Sequence, residues 1–266
     1  MTQPRHPIED TLASRPPWTP ATLTRVMQRI SPAVRKVSAE IDPIEAFWHA
    51  FVSDALRRAN DDRPPLWVVL GDSTAQGVGA TTIDQSWVAR LDAALADAGR
   101  PHALMNLSRS GARSDHVIDE QLPLLDLLPY PPAIVTVCCG ANDLMRNPNP
   151  VALARRLSRL TDRLPTGAVI STLPAPRFSP TAQYVNRALY EAAGRNDLRV
   201  AELGPHLVGP LRGTAPDRFH PNDVGYGAWV RAFAEPLGID VEAVPASGTL
   251  TSRRPGPSTP ETPTSE

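Results

Sequence analysis

The chain has 266 residues, of which 41% are hydrophobic and 21% are charged, and its formal net charge is −1. This composition is ordinary for a globular protein and argues against wholesale disorder or a fibrous repeat. The balance of 27 basic and 28 acidic residues gives no basic excess of the kind that nucleic-acid binding requires, so we expect no nucleic-acid partner.

The first 20 residues contain five prolines and show no hydrophobic periodicity, so residues 1–20 are predicted to be a flexible N-terminal arm. They lack the basic start and apolar stretch of a secretory signal. No stretch of the chain approaches the roughly 18–20 apolar residues that a membrane helix needs. We therefore expect a cytoplasmic protein without a transmembrane segment, and the oligomeric state stays open.

A helical extension is predicted over residues 21–62. In its clearest part, residues 43–60, apolar side chains recur at helical spacing: Ile44, Phe47, Trp48, Phe51, Val52, Ala55 and Leu56. A weaker helical segment precedes it around residues 21–30. Both segments come before the first predicted strand, so they are an addition to the core fold. Packing on the body of the protein is the favoured interpretation, and a lid or a partner-binding role is the alternative.

The main domain is predicted over residues 63–240, where short apolar runs alternate with helical segments. The runs are predicted to be strands over residues 66–70, 103–107, 133–139, 168–173 and 198–203. The helical segments are predicted over residues 87–95, 117–128 (distorted at Pro123), 151–164, 181–194 and 223–235. This alternation indicates an α/β protein, a three-layer α/β/α sandwich with a central parallel sheet of about five strands. Residues 241–266 are rich in Ser, Thr and Pro and are predicted to be a disordered tail.

The cysteines offer little chemistry. Cys138 and Cys139 are the only two in the chain and are adjacent within a predicted strand. Neighbours on a strand point to opposite faces, so they are interpreted as two buried thiols. They cannot build a disulfide framework or a zinc site.

Polar residues follow the first three predicted strands. Ser73 lies in Gly71-Asp72-Ser73-Thr74-Ala75, one residue short of the G-x-S-x-G nucleophile elbow. Gly111 and Asn142 come after the second and third strands, and each alone is more typical of a turn. Because ligands bind at the carboxyl ends of strands in such sheets, all three residues belong to the edge where chemistry is expected.

Near the end of the domain, Asp217 and His220 are three residues apart, just before Pro221 and the last predicted helix. Pro221 suits the first helical position, which would place His220 at the mouth of that helix. On a compact turn the carboxylate can bond Nδ1 of the imidazole and leave Nε2 to accept a hydroxyl proton. A cap and turn without catalysis is the alternative. The remaining histidines have no acid partner at a comparable spacing: His6, His49, His102, His116 and His206. Arg109, Arg113 and Arg146 lie near the expected site, where solvated surface is favoured over contact with an anionic group.

The order and spacing of these four blocks resemble those of the SGNH (GDSL-type) hydrolases over roughly residues 65–236. Gly71-Asp72-Ser73 is similar to the family's first block, Gly111 to the second, residues 140–143 to the third and residues 217–221 to the last. The usual Leu of the first block is Thr74 here, which leaves the serine unaffected. The resemblance implies a flavodoxin-like sandwich with Ser73 as nucleophile, His220 as general base and Asp217 as its orienting acid.

The resemblance also implies an oxyanion hole formed by the backbone N–H groups of Ser73 and Gly111 and the side-chain amide of Asn142, with no metal and no cofactor. Asp72 is expected to bond the loop backbone. The function expected is hydrolysis of small-molecule carboxylic esters with small to medium acyl groups through an acyl-enzyme. A thioesterase, a lysophospholipase or lipase, and a sugar-ester deacetylase are alternatives within the class. A non-catalytic ligand- or partner-binding protein is the alternative from another class. The expected cleft is formed by residues 74–85, 109–115, 144–149 and 174–180.

Overall fold

The computed structural model describes residues 5–17, 19, 22–146, 149–174, 179–248 and 250. Within these residues, one sheet contains the strands β1 (Leu66–Gly71), β2 (Ala103–Asn106), β3 (Ile134–Cys138), β4 (Val169–Ser171) and β5 (Arg199–Ala201). The strand order is β2-β1-β3-β4-β5, and the pairings are all parallel. This is the flavodoxin-like order, in which the order of the strands across the sheet reverses between β1 and β3.

Helices precede and connect the strands. Those before β1 are α1 (Pro7–Ser14), α2 (Thr22–Ile30), α3 (Pro32–Ala39) and α4 (Ile41–Asp61). Those after it are α5 (Ser73–Gln76), α6 (Trp87–Asp97), α7 (Ser114–His116), α8 (Ala141–Arg146), α9 (Pro150–Thr161), α10 (Pro180–Arg195), α11 (Pro210–Gly213) and α12 (Asp223–Leu237). No helix in these described parts is both long and apolar enough to cross a bilayer.

The sheet separates two hydrophobic cores because alternate residues of a strand face opposite sides. On β1, Leu66, Val68 and Leu70 face a core covered by α1, α9 and α10, whereas Trp67 and Val69 face a core covered by α6 and α12. Helix α4 packs beside β2 and contributes side chains to both cores. The predicted α/β/α sandwich with a five-stranded parallel sheet is confirmed.

The N-terminal segment differs from the flexible arm predicted for residues 1–20. Residues 7–14 form helix α1, which buries Ile8 and Leu12 in the first core. The prolines misled the prediction because Pro7 occupies the first turn of this helix, where a missing N–H costs nothing. His6 caps the helix by accepting a hydrogen bond from the backbone N–H of Ile8 at 3.3 Å.

Two further predictions need adjustment. The helix predicted over residues 117–128 is a π-helical turn, Val117–Gln121, followed by a 3₁₀ turn, Leu122–Leu127, because Pro123 cannot continue an α-helix. Of the predicted disordered tail, residues 251–266 lie outside the described residues. Its first part is held on the body, where the backbone N–H of Gly248 donates to the carbonyl of Asp84 at 2.7 Å.

Candidate active site

Ser73 lies at the point where the interior strand β1 ends and the short helix α5 begins. Asp72 caps this helix, its carboxylate accepting a hydrogen bond from the backbone N–H of Thr74 at 2.9 Å. The Ser73 side chain is almost fully buried. The serine is therefore positioned by backbone that belongs to the sheet and by a capped helical turn.

The residue before this cap is held from two sides. Gly71 has φ +142°, and a Cβ there would lie 2.0 Å from the carbonyl oxygen of Cys138, so only glycine fits. The buried amide of Gln121 brackets it, accepting from the Gly71 N–H at 2.8 Å and donating to the Gly71 carbonyl at 2.8 Å. This bracket fixes the backbone two residues before the serine.

Two tryptophans support the other end of α5. The indole N–H of Trp87 donates to the carbonyl of Thr74 at 3.1 Å, and that of Trp48 donates to the carbonyl of Gln76 at 2.9 Å. The Trp48 bond satisfies a carbonyl at the end of the helix, and the Trp87 bond adds to the one that the Thr74 carbonyl accepts from the N–H of Gly77 at 3.3 Å. Because Trp48 belongs to α4, the N-terminal extension takes part in holding the serine turn.

Asp217 and His220 share one compact turn before α12. One carboxylate oxygen of Asp217 accepts the backbone N–H groups of Phe219 at 3.0 Å and His220 at 3.1 Å. The other oxygen lies 2.6 Å from Nδ1 of His220. The backbone of the turn is further held by the N–H of Ala215, which donates to the carbonyl of His220 at 2.7 Å.

The position expected for Pro221 was wrong. The sequence suggested that Pro221 occupies the first helical position and places His220 at the helix mouth. In the structure Asn222 is the N-cap, accepting from the N–H of Gly225 at 2.9 Å, and Pro221 instead forms a bridge with Thr214. An asparagine side chain can satisfy a free N–H of the first turn, which proline cannot do, so the helix begins after it.

The structure brings these two turns together although they are far apart in the chain. Nε2 of His220 lies 2.9 Å from Oγ of Ser73, across a separation of 147 residues. Together with the 2.6 Å contact between Nδ1 and Asp217, this forms a continuous line of hydrogen bonds from hydroxyl through imidazole to carboxylate.

The electrostatics of Asp217 favour its charged form. Burial raises the pKa of this carboxyl, but the hydrogen bond and charge of His220 and two backbone N–H groups outweigh it, so the net pKa lies below 3.8. The carboxylate therefore contributes stability above about pH 4, and this contribution is lost as pH falls through the lower folded pKa.

Asp72, next to the serine, is in a different environment. Burial raises its pKa to about 6, partly offset by the N–H of Thr74 and the charge of His220. One of its oxygens caps α5 and the other lies 3.4 Å from Nδ2 of Asn142. The contacts are those of a residue that organises loops, as expected from the sequence.

Three hydrogen-bond donors surround the space beside Ser73. Among the described residues, the backbone N–H groups of Ser73 and Gly111 have no acceptor. The amide of Asn142 donates one hydrogen to the carbonyl of Ala112 at 3.0 Å, which orients it. Its second hydrogen points toward Oδ2 of Asp72, and this hydrogen bond is weak because the two heavy atoms are 3.4 Å apart. These are the three groups that the sequence resemblance assigned to an oxyanion hole.

A cavity of about 240 Å³ contains this constellation. Its polar lining residues are Ser38, Ser73, Ser110, Asn142, Arg146, Asp217 and His220, and the others are Met27, Val34, Ile41, Gly111, Met145 and Phe219. The cavity is smaller than most drug-sized ligand sites, which occupy ~300–1,000 Å³. It can receive a small or slender apolar group beside the serine.

Sequence reasoning missed the wall supplied by the N-terminal extension. Met27, Val34 and Ile41 come from α2, α3 and the start of α4. The junction of α3 and α4 is anchored because Val37 and Ile41 pack with Val78, which follows α5, and with Ala215, which precedes Asp217. The only local signal was the helical spacing of Val34, Val37 and Ile41, which shows a buried face but not what it covers.

The other candidate side chains are placed elsewhere. Arg109 pairs with Glu120 at 2.9 Å and Arg113 with Asp115 at 3.0 Å, whereas Arg146 lines the cavity. The five remaining histidines are not among the described residues that line it. Of the cleft segment predicted over residues 174–180, residues 175–178 lie outside the described residues. Across the described ranges, no three His, Cys, Asp or Glu side chains are grouped to hold a metal ion.

Comparison with known proteins gives a consistent picture. A family model described as the GDSL-like Lipase/Acylhydrolase family matches residues 69–228. The esterase TesA of Pseudomonas aeruginosa is 35% identical over 96 residues, which cover 36% of this chain and 46% of TesA. The matched segment thus spans less than half the length of that curated relative.

Solved structures show the same fold. A crystal structure of TesA aligns with a TM-score of 0.57 and 24% identity, covering 65% of this chain and 97% of the other. A family 3 carbohydrate esterase of Clostridium thermocellum aligns with a TM-score of 0.54 and 17% identity, covering 65% and 94%. Helices α1–α4 lie before the segment that the family model matches.

Proposed function

Because this chain belongs to the GDSL-like lipase/acylhydrolase family, we propose that it is a serine hydrolase that cleaves carboxylic esters of small to medium acyl groups through an acyl-enzyme. The observation that carries the proposal is the 2.9 Å contact between His220 Nε2 and Ser73 Oγ, backed by the 2.6 Å contact of Nδ1 with Asp217. A serine hydroxyl becomes a useful nucleophile only when an adjacent base removes its proton.

The proposed reaction starts with proton transfer from Ser73 Oγ to His220 Nε2 as Oγ bonds the carbonyl carbon of the ester. The resulting tetrahedral intermediate collapses, the bond to the leaving alcohol breaks, and His220 returns the proton to that alcohol. Water then attacks the acyl-enzyme by the same route and releases the acid. Asp217 holds the Nδ1–H tautomer and stabilises the imidazolium that forms twice in each cycle.

The oxyanion of the intermediate needs donors that are already in place. The free N–H groups of Ser73 and Gly111 and the second hydrogen of the Asn142 amide supply them in this proposal. Each such donor contributes on the order of 10²–10³ in rate. Leaving the weak contact with Asp72 costs Asn142 little, since that contact is 3.4 Å long.

The Asp217→Asn variant tests the roles of the acid and the base together. The retained Oδ1 can still accept the N–H groups of the turn, but the new amide donates toward Nδ1 and forces the proton onto Nε2. Nε2 then cannot accept the serine proton, so kcat for p-nitrophenyl acetate should fall by about 10⁴ while the melting temperature changes little. Turnover within tenfold of the wild type would contradict the assigned roles.

The Val34→Trp variant tests the acyl-binding wall. A larger side chain at this half-buried position narrows the cavity without contacting the proposed catalytic groups, so the preference over p-nitrophenyl acetate, butyrate, octanoate and palmitate should shift toward acetate. Turnover of acetate should stay within a few-fold of the wild type. An unchanged chain-length profile would mean that acyl groups bind elsewhere. Thioesters, lysophospholipids and acetylated sugars tested beside these esters would identify the leaving group.

A further inference from the structure

Helix α2 is an amphipathic helix whose apolar side faces outward. From Arg25 to Ile30, every side chain is exposed except that of Gln28, which is half-exposed. Val26 is 47% exposed, Met27 37% and Ile30 70%. These three residues have the spacing i, i+1, i+4, so they form one stripe along the helix, the apolar stripe. Helix α2 packs mainly against α3. A stripe of this kind on a surface helix indicates an interaction site.

The same segment is basic. From Thr22 to Ala39 the chain carries four basic residues and no acidic one, although the whole chain has a net charge of −1. Arg35 is engaged with the end of α2, donating to the carbonyl of Gln28 at 3.1 Å, and Lys36 lies near Glu40. Arg25 and Arg29, one helical turn apart, are exposed on the side of α2 that points away from Met27, so they form its polar face.

The stripe adjoins the mouth of the cavity that contains Ser73. Met27 belongs both to the stripe and to the cavity lining. Two other exposed apolar side chains line the same cavity from other segments, Met145 (58% exposed) and Phe219 (39% exposed). Apolar side chains from three parts of the chain therefore surround the opening.

We propose that α2 docks the enzyme on an anionic lipid surface, with Val26, Met27 and Ile30 entering the interface and Arg25 and Arg29 contacting the headgroups. A basic amphipathic helix of low overall hydrophobicity is suited to lie in the plane of such a surface. A second copy of the chain is disfavoured as the partner. A two-fold contact through α2 would bring together two copies of a segment that has basic residues and no acidic one. The idea that the cavity of the docked protein admits substrate rests on the proposed function. The docking of α2 on the lipid surface does not.

The test is co-sedimentation of the full chain with vesicles of equal parts phosphatidylcholine and phosphatidylglycerol, against phosphatidylcholine alone. The wild type should bind the mixed vesicles more tightly, and salt should weaken the binding. The variant R25Q/R29Q should bind about 10- to 30-fold more weakly, as expected from two lost basic contacts. V26D/I30D should lose at least tenfold, since charges replace the inserted side chains.

Matched controls lie on other faces. R155Q/R159Q removes two exposed arginines at the same spacing from α9, and L127D alters an exposed leucine shortly before β3, at the opposite edge of the sheet. Both should bind vesicles like the wild type. Failure of the wild type to bind, equal binding to both vesicles, or equal loss in the controls would overturn the proposal. So would a change of solution mass in V26D/I30D without loss of vesicle binding, which would indicate self-association.

The same variants separate docking from catalysis. All should hydrolyse soluble p-nitrophenyl acetate at the wild-type rate, because none of the substituted residues lines the cavity. Vesicle binding without any ester hydrolysis by the wild type would remove the proposed function and leave the docking surface intact.

Discussion

Replacing Ser73 by alanine should lower kcat for p-nitrophenyl acetate by about 10⁶. The substitution removes the proposed nucleophile and leaves the proposed oxyanion donors, so a residual rate of about 10³–10⁴ over the uncatalysed reaction should remain. Asp72, not the serine, caps α5, so the turn should keep its structure. Only the hydrogen bond to His220 is lost, a change of about 1 kcal/mol in stability.

The matched control for this variant is Ser38→Ala. Ser38 lines the same cavity from α3 but has no part in the proposed chemistry, so turnover should stay within a few-fold of the wild type. Equal turnover by the wild type and Ser73→Ala would end the hydrolase proposal. It would favour a non-catalytic binding protein that retains the family's fold.

Replacing His220 by alanine should cause a loss of similar size, about 10⁶ in kcat, because the proposed base of Ser73 is then absent. The turn itself should persist, since the backbone bonds to Asp217 Oδ1 and the bond from Ala215 do not involve the imidazole. The buried Oδ2 of Asp217 loses its partner, at a cost of about 1–3 kcal/mol. The expected melting temperature is therefore lower by several degrees, at about 2–4 °C per kcal/mol.

His116→Ala is the control for a histidine that only supports a turn. Its Nδ1 accepts the backbone N–H of Arg113 at 3.2 Å, and it does not line the cavity, so its loss should lower stability without lowering kcat. If His220→Ala instead unfolds the protein at assay temperature, or retains turnover, His220 is a capping residue and the proposed mechanism fails.

The sheet was predictable because a strand buried on both faces needs an uninterrupted apolar run. The predicted strand over residues 66–70 is observed as Leu66–Gly71, and that over 133–139 as Ile134–Cys138. The fourth and fifth strands were less accurate: residues 168–173 and 198–203 were predicted, and Val169–Ser171 and Arg199–Ala201 are observed. Strand ends depend on partner strands, which local sequence does not specify.

The candidate site was predictable as a set of residues but not as a geometry. Order along the chain placed Ser73, Gly111 and Asn142 after successive strands, and parallel topology placed those strand ends at one edge. The 2.9 Å approach of His220 to Ser73 depends on contacts across 147 residues. The hydrogen bonds of Gln121 to Gly71 and of the Trp48 indole to α5 are also tertiary contacts, and no local sequence pattern predicts them.

The cavity wall from α2, α3 and the start of α4 is built by chain that precedes the family-matched residues 69–228. In the proposed function, the bond-breaking groups are thus encoded within the family-matched stretch, whereas part of the substrate-selecting surface is encoded before it. We expect that exchanging residues 22–39 for another helical hairpin that keeps an apolar residue at the place of Val37 redirects the choice of ester and spares the proposed hydrolytic groups. Helix α4 must stay because Trp48 holds the turn that carries Ser73. We therefore expect ester selectivity to be open to change by recombination as well as by point mutation.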